Sequence, residues 1–331
     1  MSMVPTSFIS VPCNLCGSND TELLTNVREN QDGKEIIFNL VRCKKCSLTY
    51  VNPMPSSETI GLFYPQTYYS HQNPARKKNF KKYLQLIARQ SYLNDSNAKG
   101  LLKKAIIKCI GTILNQQIDI VVPNIKNGKI LDVGCGNGDM IAWMKEYGWD
   151  IYGTEISKKA CDFAEKQGLK IYCGQLKDAS FSIDFFDVVT INHVLEHVHD
   201  PLSVLTECNR ILKKGGLLIV GVPNYNCYDS MLFGTNWSQL DVPRHLYHFT
   251  MDTLNQMLNM AGFKIDKWKY KTIPLPFYDT HNVNNAKVNC TNKKLIILKF
   301  KASVIKFARY VFSKNKGQRF CINLTAYARK S

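Results

Sequence analysis

The sequence predicts an α/β fold on a doubly wound, mostly parallel sheet, and three observations carry that prediction. From Gly128 the chain alternates strand-like and helical text around a glycine-rich turn: KILDVGCGNGDM, IAWMKEYG, WDIYGTEIS, KKACDFAEKQG, LKIYCG. Strand-like FDVVTI (186–191) and LLIVGV (217–222) follow, separated by the helical LSVLTECNRILKKGG with its glycine stop signal. The chain has 331 residues, 45% hydrophobic and 21% charged, a globular composition and a length suited to about two domains.

Taken in order, residues 1–55 read as a small metal-binding module. Two CxxC knuckles, Cys13/Cys16 and Cys43/Cys46, are joined by a polar stretch, and IIFNLVRCKKCSLTYVNP puts strand-like residues on both sides of the second. That is zinc-ribbon grammar: four thiolates suit tetrahedral Zn2+, and with no fifth ligand implied the metal is structural. So small a module has little core, so metal binding supplies much of its folding free energy. Residues 56–125 are a helical linker or cap, with basic, periodically apolar stretches at 80–92 and 101–118. Residues 126–331 form the α/β core. Its later part holds a helix in MDTLNQMLNMAGF, a strand at 264–271, a basic amphipathic stretch KKLIILKFKASVIKFARYVF inside a helical insertion at 274–317, and a last strand in RFCINLTAYARK.

Charge and cysteine usage narrow the class. The formal net charge is +17, and the basic excess lies in residues 71–129 and 224–331, while residues 130–223 are acidic. A basic flank suits nucleic acid, a membrane surface or a phosphate-bearing substrate. Lysine far outnumbers arginine, however, and no basic-aromatic motif stands out, so nucleic acid is not the expected partner. The N-terminus lacks a basic n-region and a long apolar stretch, and no apolar run approaches the roughly 18 residues of a membrane span, so a cytoplasmic location is expected. Of the 12 cysteines, the eight outside the knuckles (Cys109, Cys135, Cys161, Cys173, Cys208, Cys227, Cys290 and Cys321) stand singly and read as small buried hydrophobes.

The chemistry is concentrated in ILDVGCGNGD. Asp132 lies near the carboxyl edge of a strand, and Gly134, Gly136 and Gly138 let the backbone turn sharply and approach a ligand at the next helix N-terminus. Glu155, at the end of the second strand, stands where a carboxylate accepts both hydroxyls of a ribose. A dinucleotide fingerprint requires GxGxxG, whereas this chain has GxGxG preceded by an acid, so pyrophosphate is not the expected guest.

On these residues the chain resembles the class I S-adenosylmethionine-dependent methyltransferases over residues 126–270 and the last strand. FDVV, HVLEHVHDP (193–201), RILKKGG and VPN (222–224) fit that family in order. The resemblance implies a Rossmann-like, seven-stranded sheet with an antiparallel last strand, and S-adenosyl-L-methionine as cofactor. It puts Asp132, Gly134 and Gly136 along the methionine part of the cofactor, Glu155 at its ribose and Gln175 and Leu176 at adenine, with Cys135, Gly138, Ile156 and Asn192 also among the cofactor-binding residues. The aspartate frequent at the Gln175 position is absent, though an amide also hydrogen-bonds adenine. The knuckles, the YVNPMP link and NWSQLDVPRHLYHFTMDTLNQMLNMAGF resemble a subgroup that methylates sugars, cell-surface polysaccharides and secondary metabolites, with residues 224–262 covering the substrate. HVLEHVHDP also resembles the quinone-ring O-methyltransferases.

The expected reaction is in-line methyl displacement onto a hydroxyl or carbon of a small-molecule or sugar acceptor. A hydroxyl must lose its proton, and histidine is the natural base. His193, after the fourth strand, is favoured; His197 packs or catalyses, and Glu196 orients the segment. His245 and His248 in PRHLYHF are further candidates, with Arg244 and Tyr247 for the acceptor; the alternative for this stretch is a buried polar network bracing the lid. Rival functions are an RNA methyltransferase, a lipid-linked acceptor met at the membrane surface through residues 295–312, and a non-catalytic binding protein. The chain is expected to be a monomer or homodimer.

Overall fold

The computed structural model describes residues 7–31, 33–64, 120–123, 125–271 and 321–331. The helices expected at 80–92 and 101–118, the insertion at 274–317, and Cys109 and Cys290 lie outside the described residues. Among those described, no helix is long and apolar enough to cross a membrane.

The N-terminal part holds β1 (Phe8–Ile9), β2 (Thr21–Gln31), β3 (Lys34–Cys43), β4 (Thr49–Val51) and β5 (Met54–Pro55). β2 and β3 form an antiparallel hairpin that brings Thr21 opposite Cys43, beside the second knuckle. Phe38 and Leu40 point inward on β3, two residues apart as the strand period requires.

The core elements follow as β6 (Lys129–Val133), α1 (Asp139–Lys145), β7 (Asp150–Glu155), α2 (Lys158–Glu165), β8 (Ile171–Cys173), β9 (Phe186–Asn192), α3 (Pro201–Ile211) and β10 (Leu212–Pro223). Then come α4 (Tyr228–Phe233), β11 (Tyr247–His248), α5 (Met251–Met260), β12 (Phe263–Lys271) and β13 (Asn323–Lys330). Seven strands form one sheet in the order β12-β13-β10-β9-β6-β7-β8. β13 runs antiparallel to both its neighbours, and the remaining pairs are parallel. This is the expected Rossmann-like sheet with its antiparallel last strand, reversing between β6 and β9, where doubly wound sheets open their ligand crevice.

Side chains of the central strands alternate between two cores. Leu131, Val189 and Leu218 pack on the face that also receives the N-terminal part, whereas Ile130, Val188 and Ile219 pack with Trp149 and Met144 on the other. Helix starts are chemically marked: Ser157 caps α2, Asp200 caps α3 with Pro201 as its first residue, and Thr250 and Thr253 form a reciprocal capping box on α5.

Three readings from sequence need correction. The helix in LSVLTECNRILKKGG ends at Ile211: Leu212 already pairs with Phe186, and the ladder shifts register before Leu217, so KKGG forms an irregular strand entry. Cys161 and Cys173 do not stand singly but form a disulfide, because pairing of Cys173 with Glu155 sets the end of β8 beside the first turn of α2, at a Cα–Cα distance of 5.9 Å. Finally, β11, from the expected substrate-covering segment, pairs with β4, making a four-stranded sheet β11-β4-β3-β2. That stretch of the core therefore completes a sheet of the N-terminal module, a pairing with no local sequence signal.

Candidate active site

The glycine turn leaves β6 at Val133 and returns into α1. Gly134 and Cys135 both donate to the carbonyl of Thr154, at 2.8 and 3.0 Å, tying the turn to β7. Gly136 has φ +55° and no atom within 4 Å of where a Cβ would stand, so the backbone is open to a ligand. Gly138 caps α1 in the left-handed region. Cys135 is buried and its thiol is pushed up by that burial and by Asp132 and Glu155, so it serves packing rather than nucleophilic chemistry.

Two carboxylates flank the turn. Glu155 accepts from Gly136 N through Oε2 and from Ser157 N through Oε1, both at 2.8 Å, so the acid that would meet a ribose also orders the cradle. Ile156 beside it is 77% exposed, a large apolar side chain left at the mouth of the crevice. Asp132 is buried and accepts from Thr190 Oγ1 at 2.7 Å. Burial lifts its carboxyl to about 7, against the Thr190 hydrogen bond and with help from Glu155. Leu176 is buried, Gln175 is exposed just before it, and Asn192 Oδ1 is buried without a partner. These residues offer donors, acceptors and open backbone at the carboxyl edges of β6, β7 and β9, which fits a charged nucleoside cofactor.

The raised Asp132 gives a pH prediction. Between about pH 4, the ordinary aspartate value, and about 7 the folded state keeps a proton on Asp132 that the unfolded chain has released, so this group's contribution to stability falls as pH rises, against the opposite contribution of the buried, neutral His245 and His248. Relative to Asp132→Asn, the melting temperature of the wild type without ligand should drop by roughly 2–8 °C across that window. An equal pH slope in both proteins would rule out the assignment.

His193 has φ +55°, an uncommon conformation for a non-glycine residue, and its N–H donates to Gly221 O at 2.9 Å. Its Nδ1 lies 3.3 Å from Glu196 Oε1 and its Nε2 lies 3.1 Å from Asn323 Nδ2. The pairing fixes roles: Nδ1–H donates to the carboxylate and Nε2 accepts from the amide. Burial opposes ionisation of Glu196, but the hydrogen bond from His193 and the imidazoles of His193, His197 and His245 hold it at about 2. A buried carboxylate thus orients and polarises a histidine next to the sheet edge. Asn323 comes from the last strand, and only the fold brings it to His193.

The PRHLYHF stretch is enclosed. His245 is buried, its Nδ1–H donates to Gln239 O at 2.8 Å, and burial with the neighbouring His197 keeps it neutral. His248 lies in β11 and burial takes it down to about 3. Arg244 donates through Nε to Asp241 at 2.9 Å and through Nη1 to Phe63 O at 2.9 Å, with Glu29 of the β2–β3 hairpin 3.4 Å away. Tyr247 is 2% exposed and donates its hydroxyl to His199 O. His245, His248 and Tyr247, expected at the acceptor, are buried, and Arg244 is committed to partners within the protein, an arrangement of the kind the sequence offered as the alternative, a buried polar network. His197 joins it, with Nδ1 3.0 Å from Arg244 O and 3.1 Å from Tyr64 Oη.

The four knuckle thiols converge. Cys13 and Cys46 lie 3.4 Å apart at sulfur, as do Cys16 and Cys43, and all four fall within 4.8 Å of one another. Tetrahedral Zn2+ at about 2.3 Å from each sulfur requires spacings of this size, so the donor set and its closed geometry fit the metal. Glu196, His197 and His245 also bring one potential ligand atom each within 4.8 Å.

The methyltransferase-domain family matches residues 76–267, more than half of the chain. An uncharacterized protein of Methanocaldococcus jannaschii is 28% identical over 152 residues, 46% of this chain and 72% of that protein. A ubiquinone biosynthesis O-methyltransferase of Cereibacter sphaeroides is 32% identical over 146 residues, 40% of this chain and 59% of that enzyme, so the chain spans less than two thirds of it. Among solved structures, an S-adenosylmethionine-dependent methyltransferase of Archaeoglobus fulgidus is 18% identical with a TM-score of 0.45, over 68% of this chain and 94% of that one.

Proposed function

From the premise that this chain belongs to the class I S-adenosylmethionine-dependent methyltransferase family, we propose that it methylates a hydroxyl of a small-molecule or sugar acceptor, with His193 as the base. The observation that carries this reading is the His193–Glu196 pair, built at the carboxyl edge of β9, the strand that pairs with β6 and its glycine turn.

When bound, S-adenosylmethionine supplies a methyl group already activated by its sulfonium. Glu155 would accept the ribose hydroxyls, the open backbone at Gly136 would let the cofactor close on the turn, and Asp132 and Asn192 would face its polar end. The acceptor hydroxyl would replace the Asn323 amide at His193 Nε2 and pass its proton to that nitrogen, and Glu196 would stabilise the imidazolium. Cys13, Cys16, Cys43 and Cys46 would hold one structural Zn2+.

A phenolic acceptor is a second reading, favoured by the similarity to enzymes named for ubiquinone biosynthesis. A phenol gives up its proton near pH 10 and an alkyl hydroxyl far above that, so the phenolic reading asks less of His193. The test is transfer of labelled methyl from S-adenosylmethionine to panels of sugars, nucleotide sugars, catechols, amines and RNA. Label on a hydroxyl supports the proposal. Label only on RNA or on an amine, or none with every acceptor, defeats it.

A further inference from the structure

The metal knuckle reaches the segment that carries His193 and Glu196 through one side chain. Asn14 lies between Cys13 and Cys16, where Cys13 O accepts from Cys16 N and Gly17 N and so shapes the knuckle. From there Asn14 Nδ2 donates to Asp200 Oδ1 at 3.0 Å, and Asn14 Oδ1 accepts from Leu202 N at 3.1 Å. Asp200 Oδ1 also caps α3 by accepting from Ser203 N at 3.0 Å. A residue of the cysteine cluster thus completes the cap of the helix that ends HVLEHVHDP, occupying one of the orphan N–H groups every helix start leaves.

Other contacts from the N-terminal module pin the same segment. His199 Nε2 lies 2.9 Å from Pro55 O. The carbonyl of Glu196 accepts from Leu246 N at 2.7 Å, and Leu246 O in turn accepts from Val51 N at 2.9 Å, where β11 meets β4. Residues 193–202 are therefore held at Glu196, at His199 and at the α3 cap, each time from the metal module or the strand it has recruited. None of these contacts touches Asp132, Gly136 or Glu155.

We infer that Asn14 is a positioning residue for methyl transfer: the cysteine cluster, through Asn14, fixes the start of α3 and so the His193–Glu196 pair, while the cofactor cradle meets this segment at its other end, where Val194 packs on Gly134. This rests on the function proposed above for its kinetic arm only. A bidentate side chain on a knuckle shaped by its two cysteines is a rigid anchor, and loss of metal or of the amide releases the same end of the segment.

The test uses the full chain loaded with zinc. In Asn14→Ala the zinc content should stay at one per chain and S-adenosylhomocysteine affinity should stay within about twofold. Amide exchange in residues 193–204 should quicken while residues 129–139 and 150–157 keep their protection, and kcat should fall roughly 3- to 10-fold with the cofactor KM unchanged. Removing zinc from the wild type should quicken exchange in the same 193–204 segment. Asn14→Asp keeps an acceptor for Leu202 N but removes the donor to Asp200 and sets two carboxylates together, so it should behave like Asn14→Ala. Wild-type exchange and kcat in Asn14→Ala would overturn the inference. So would wild-type exchange and kcat in Asn14→Asp, which decides the case if Asn14→Ala loses its zinc. If the wild type transfers no methyl group but the exchange pattern appears, the functional reading fails and the anchor stands.

Discussion

Replacing Glu155 by Ala will weaken S-adenosylhomocysteine binding by about 100-fold while the protein stays folded. The carboxylate stands between Gly136 N and Ser157 N, and its remaining lone pairs face the crevice where a ribose would lie. A hydrogen bond to a charged group contributes about 1.5–3 kcal/mol, and each 1.4 kcal/mol is tenfold in affinity. Losing two such bonds to ribose hydroxyls gives the expected size, and the two backbone N–H groups left without their acceptor add disorder in the turn. Glu155→Gln should fall between, because an amide accepts on one side only and opposes a backbone N–H on the other. Calorimetric titration reads this directly, and affinity within threefold of wild type in Glu155→Ala would remove the residue from the cofactor site.

Replacing His193 by Ala should lower kcat by roughly 10²- to 10⁴-fold with S-adenosylhomocysteine affinity unchanged. The imidazole is held at both nitrogens, by Glu196 and by Asn323, and so is oriented before the acceptor arrives. Glu196→Gln keeps a hydrogen-bond acceptor but removes the charge that stabilises the imidazolium, and kcat should fall by a smaller factor, about 10- to 100-fold. Single-turnover measurement separates chemistry from release. Wild-type turnover in His193→Ala would mean that the acceptor reaches the methyl already ionised, as the phenolic reading permits.

How much of this was legible in the sequence depends on how far apart the cooperating residues lie. The glycine turn, Asp132 and Glu155 could be read because they fall on successive βα units, where strand end and helix start have local signatures. The cysteine cluster could be read because each knuckle is a four-residue unit and only four thiols needed pairing. The brace could not. Arg244 meets Glu29 across 215 positions, Asn14 meets Asp200 across 186, and Asn323 meets His193 across 130. No periodicity marks such contacts, since they join modules rather than neighbouring elements.

The histidines show the same limit. His193, His245 and His248 look alike in sequence, and their differences come from burial and partners. PRHLYHF carries two histidines, an arginine and a tyrosine, the composition of an acceptor site, yet pairing of β11 with β4 turns it inward. The Cys161–Cys173 disulfide escaped for a related reason: the two cysteines belong to different elements, and strand register decides their approach.

The central claim is that the crevice above β6 and β7 takes a sulfonium nucleoside. Isothermal titration of the intact chain with S-adenosylhomocysteine, run beside NAD and FAD, tests it most directly. Saturable one-to-one binding of S-adenosylhomocysteine, abolished or strongly weakened in Glu155→Ala and absent with the two dinucleotides, is the predicted result. Heat with NAD or FAD and none with S-adenosylhomocysteine would contradict it.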